Sequence, residues 1–196
     1  MHTFRKYKNS HLQVPVKAPL HFNGQTGNEE MALLIGKLKK IFVEAKQQQR
    51  EVVFLCIGSD RYIGDSLGPL IGSMLQENEI SHPVYGTLED PVHAFNLKIV
   101  LKDIYKKRDN PLLISIDASL GEKEQVGDVL FNEGPLVPGK ALEKMLPEVG
   151  DYHFQGIVNY LDPFPSSQFL NDTRLHTVMK LAKLITQIIL DSNKEE

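Results

Sequence analysis

The chain has 196 residues, enough for one domain with a sizeable core, and its 41% hydrophobic and 24% charged content is ordinary for a soluble globular protein. A net charge of −3 gives no global footprint for nucleic acid or an anionic membrane, and no apolar run approaches the ~20 residues of a membrane span. The single cysteine, Cys56, excludes an internal disulfide, and no apolar signal-peptide core follows Met1, so a cytoplasmic location is expected.

Residues 1–28 carry scattered Lys and His, with Pro15, Pro19 and Gly24 and no periodicity. They are expected to form an irregular arm with a short extended piece at 12–16, leaving 29–196 as a single domain. From Asn28, the spacing of Met31, Leu34, Ile35, Leu38, Ile41 and Phe42 predicts a helix that ends in the polar run 47–50. Glu29 and Glu30 suit its N-terminus. Residues 52–58 then read as a buried strand ending in glycine, with Cys56 inside it as a small apolar residue. A polar, glycine-punctuated loop opens onto a helix over 66–76. A short strand at 84–88 precedes Asp90 and Pro91, read as N-cap and first turn of a helix running to the basic cluster 106–108.

Leu112 to Ile116 form the next apolar strand, closed by Asp117. A charged turn at 120–127 leads to a strand at 128–132, placed antiparallel at or near a sheet edge. A breaker-rich loop at 134–140, a short helix at 141–146, a strand at 153–159 and an amphipathic helix at 173–190 complete the chain. This alternation predicts a three-layer α/β/α sandwich around a mostly parallel sheet.

Ligands of open α/β sheets bind outside the carboxyl ends of the strands, where Asp65 and Asp117 fall. The loop is neither a P-loop nor a dinucleotide fingerprint: five residues separate Gly58 from Gly64, Asp65 stands where lysine belongs, and Asp60 and Asp65 would repel phosphate. Two strand-end acids suit either a divalent cation or a shared proton that activates water. Asp65 also fits a helix cap, whereas an aspartate closing a buried strand is costly unless paired. Gly58 and Gly64 would let the loop approach a substrate backbone, and Asp60 and His93 are candidate substrate contacts on the same edge. His93 and His153 are both candidates for a third metal ligand; topology favours His93, since His153 begins its strand at the opposite edge.

The sequences 57–60 and 64–69, together with Ser115-Ile116-Asp117-Ala118, resemble the pattern of the spore germination protease and, more loosely, of the hydrogenase maturation endopeptidases. Leu136-Val137-Pro138-Gly139 is similar to a Pro-Gly turn of that protease. Over residues 30–190 the chain most resembles the YyaC-like sporulation family, through 84–88, 91–94 and 156–159. The resemblance implies a phosphorylase/hydrolase-like fold in a spore-forming bacterium and an endopeptidase acting on a protein or peptide, with Asp65 and Asp117 as catalytic acids. It also implies a possible divalent metal held by Asp65, Asp117 and His153. The chain is shorter than the germination protease and lacks its large substrate-shaping insertions, which leaves a non-catalytic binding module as the alternative.

Overall fold

The computed structural model describes residues 20–22, 28–138, 146–160 and 173–194. Among the described residues six strands form one sheet in the order β1-β5-β6-β4-β2-β3. These are β1 (Leu20–Phe22), β2 (Val52–Cys56), β3 (Val84–Tyr85), β4 (Leu112–Gly121), β5 (Val129–Glu133) and β6 (Tyr152–Tyr160). Strands β3, β2, β4 and β6 run parallel, while β5 is antiparallel to both β6 and β1. The helices are α1 (Asn28–Gln47), α2 (Leu67–Glu77), α3 (Leu97–Lys107) and α4 (Leu175–Asn193).

The three layers follow from where each apolar face goes. Every residue of β2 is buried, as befits a strand covered on both sides. Phe54, Ile116 and Phe154 pack with Leu38 of α1, Ile71 of α2 and Ile185 of α4 on one face. On the other, Leu55 and Leu113 pack with Leu97 and Ile104 of α3. Cys56 is fully buried, and burial pushes its thiol pKa upward, so it acts as a core residue. Among the described residues no helix is long and apolar enough to cross a membrane.

Three expectations change. The arm is not wholly irregular, because Leu20–Phe22 pairs antiparallel with β5. Strand β4 continues past Asp117 to Gly121, since β6 keeps pairing with it through a register shift at Ser119/Leu120. Helix α3 starts at Leu97, with Asn96 at the N-cap position, rather than at Pro91. Val92 instead forms a parallel bridge with Ile57, and Pro91 O accepts from Asn96 Nδ2, which keeps this stretch out of the helix. Strand β5 lies next to the edge and antiparallel, as expected, with β1 outside it. The expected pieces at 12–16 and 141–145 lie outside the described residues, and Leu146 is in no helix.

The chain leaves β2 toward β3 on one side and leaves β4 toward β5 on the other. In open α/β sheets ligands bind where neighbouring parallel strands send their connections in opposite directions, and here that point is the carboxyl ends of β2 and β4.

Candidate functional site

Asp117 stands one residue beyond the last β2–β4 pair, Cys56↔Ile116, at the point where β2 has turned away. The turn is built on Gly58, whose φ is +145°. A Cβ there would lie 2.1 Å from Asp65 O, so only glycine lets the loop close on itself. Gly58 N–H donates to Val92 O at 2.8 Å and Ser59 N–H to Asp65 O at 2.9 Å. These bonds fold residues 59–65 back over the end of β2 and set Asp65 in a 3-10 turn, Ile63–Asp65, just ahead of α2. Gly68 completes the approach: a Cβ on it would meet Ile57 O at 2.1 Å, so α2 begins hard against the strand end.

The cap position of α2 is Ser66, whose hydroxyl donates back to Ile63 O at 2.8 Å and makes no capping bond. Asp65 is therefore not the cap of this helix. Its carboxyl is half-buried, and burial lifts its pKa from 3.8 to about 6 against the lowering effect of Ser59 N–H. Asp117 is only 7% exposed. Burial pushes its pKa well upward, the negative charge of Asp65 pushes it further, and Ala118 N–H, donating to Asp117 Oδ1 at 2.9 Å, offsets part of this. The two acids come close enough to feel each other's charge, and neither forms an ion pair among the described residues. In such a pair the charge on one carboxyl disfavours ionisation of the other.

The other expected site residues fall as follows. Gly64 is buried inside the 3-10 turn, and Asp60 is exposed on the loop above it. Gly58 is required by the chain's own turn, which accounts for it without a substrate. His93 is not in the first turn of a helix but in a braced turn before α3, beside Gly58 through the Val92 hydrogen bond. His153 is 8% exposed, aligned with Ser115 rather than with Asp117, and its Nδ1 lies 2.8 Å from Gly134 O. Among the described residues no three His, Cys, Asp or Glu side chains gather closely enough to hold a metal ion. The set Asp65, Asp117 and His153 therefore does not fit a metal: His153 sits two residues short of Gln155, which aligns with Asp117. Gln155 and Ser59 are the neighbours of the acids that the sequence did not announce. Only the strand register and the loop's return path identify them, and neither leaves a local signal.

Fold and site together define a class: a three-layer α/β/α protein with one buried and one half-buried aspartate at the switch point of its sheet. Within that class the chain belongs to the DUF1256 family, described as protein of unknown function, which it matches over residues 26–188. It is 46% identical over 143 residues to Uncharacterized protein YyaC of Bacillus subtilis (strain 168), an alignment covering 72% of this chain and 69% of that protein. Among solved structures it is similar to the NiFe hydrogenase maturation protease HycI from Thermococcus kodakarensis KOD1. The similarity has a TM-score of 0.40 at 19% identity, covering 71% of this chain and 92% of that one.

Proposed function

We propose that this protein is an endopeptidase in which Asp65 and Asp117 share a proton and activate water for attack on a peptide carbonyl. The observation that carries this reading is the electrostatic coupling of two acids from separate elements, at one strand edge, both with raised pKa. Asp65 is the group ionised first and accepts the proton of water. Asp117, kept protonated by burial and by the charge of Asp65, donates its proton to the carbonyl oxygen; when the resulting diol collapses, Asp117 takes a hydroxyl proton back and Asp65 passes the proton it took from water to the leaving amine. The motif resemblance to the spore germination protease supports peptide as the substrate, with action in the cytoplasm of a sporulating cell.

Incubating the protein with extract of sporulating cells, and identifying cleaved chains by mass spectrometry beside an Asp117→Asn control, tests this. New termini that appear only with the unmodified protein are expected; identical termini in both samples refute the acid pair. A non-catalytic binding module is the second reading, favoured by the Ala118 N–H held on Asp117 Oδ1, which ties one oxygen to the backbone.

A further inference from the structure

The carboxyl edge carries a second feature beside the acid pair. The loops after β2 and β3 are joined by the Ile57–Val92 bridge and present four exposed apolar side chains: Tyr62, Ile63, Leu88 and Phe95. Phe95 is 81% exposed, more than any other large hydrophobic residue among those described.

That exposure is not the result of a loose backbone. His93 N–H donates to Asn96 Oδ1 at 2.8 Å, Asn96 Nδ2 to Pro91 O at 2.9 Å, and Phe95 N–H to His93 Nδ1 at 3.3 Å. The Phe95 ring stands edge-on to the His93 ring, 5.8 Å between centroids. Leu88 is fixed similarly, its N–H donating to Ser73 Oγ at 2.9 Å, and Thr87 Oγ1 accepts from Asp90 N–H at 3.0 Å. Exposed apolar side chains on braced turns, beside the two acids, mark a recognition surface whose ordering cost is already met. The exposed acids Asp60, Glu89 and Asp90 on the same two loops oppose an acidic ligand.

We infer that these two loops form an apolar clamp for a peptide segment that carries bulky aliphatic or aromatic side chains, and no carboxylates, next to the bond over Asp65 and Asp117. The clamp rests on the hydrolytic reading for its purpose but not for its existence, since it binds whether or not the bond is cut. Phe95 and Leu88 grip a side chain on one side of the bond. Tyr62 and Ile63, next to Asp65, contact the side chain nearest it. His93 Nδ1 accepts from Phe95 N–H, which leaves Nε2 to donate to a peptide carbonyl.

Labelled peptides titrated by fluorescence polarisation into the full-length Asp117→Asn protein test this in three sets: bulky apolar and uncharged, bulky apolar with acidic neighbours, and polar uncharged. The first set is expected to bind at least tenfold tighter than the others. Phe95→Ser removes that preference, while Val43→Ser, an exposed apolar residue on α1, leaves it intact. Equal affinity for all sets, binding by none, or a preference that survives Phe95→Ser overturns the clamp. Preferential binding without cleavage by the unmodified protein upholds the clamp and refutes the peptidase reading. Cleavage without preference does the reverse.

Discussion

At the amino ends of the parallel strands, Asp151 is matched on every side. Arg50 Nη2 donates to its Oδ1 at 2.7 Å, Leu113 N–H donates to its Oδ2 at 2.8 Å, and the same guanidinium holds the carbonyls of Asn110 and Pro111. At the carboxyl ends, Asp65 and Asp117 lie within reach of each other's charge, each shielded from water at a cost that a backbone N–H offsets only in part. The same residue type thus does opposite work at opposite edges of one sheet. Where a carboxylate meets a fork of donors it fastens strand to strand; where it meets another acid its ionised form is disfavoured.

The largest effect that would break this contrast concerns activity. Asp117→Asn is expected to lower peptide hydrolysis about a thousandfold, as for loss of a positioned acid–base group, with the melting temperature unchanged or raised. A melting temperature lowered by several degrees instead would show that Asp117 is fastened like Asp151. Gly58→Ala comes next: strain at φ +145° and the collision with Asp65 O should cost about 3 kcal/mol or more, read by denaturant unfolding. Arg50→Ala should destabilise by about 2 kcal/mol, lowering the melting temperature by roughly 4–8 °C, and leave hydrolysis intact.

The smallest effect sharpens the contrast. Asp65 takes up its proton near pH 6 in the folded chain and near 3.8 when unfolded. Between those values the folded state binds more protons, so stability rises as pH falls from 7 toward 4 and is lost as pH rises through about 6. Asp117 acts in the same direction. After allowance for the solvent that reaches Asp65, roughly 1–2 kcal/mol is expected, seen as a higher melting temperature at pH 5 than at pH 7.5. Asp65→Asn should flatten that slope. An unchanged slope would show that the two acids are not coupled to folding as described.

Much of the architecture was legible in the sequence, because period and punctuation act locally. The run at 52–58, the helical spacing from Asn28 and the acid after Ile116 each announce an element without help from distant residues. What the sequence hid is what register decides. Leu20–Phe22 is too short to show a pattern and becomes a strand only because β5 lies beside it. Pro91 reads as a helix start, yet the bridge to Ile57 holds its neighbourhood extended. His153 and Gln155 differ by two positions in one strand, and only the pairing with β4 shows that Gln155 flanks Asp117. The Asp65–Asp117 pairing was anticipated from strand ends and motif likeness, but its closeness depends on the Gly58 turn.

Among the described residues the outermost strands of the sheet, Leu20–Phe22 and Val84–Tyr85, have three and two residues. A long bare strand border invites another molecule to add itself, and from there fibres and precipitates grow. Borders this brief give a second copy little to zip onto, so the protein should tolerate crowding at high local concentration without sticking to itself.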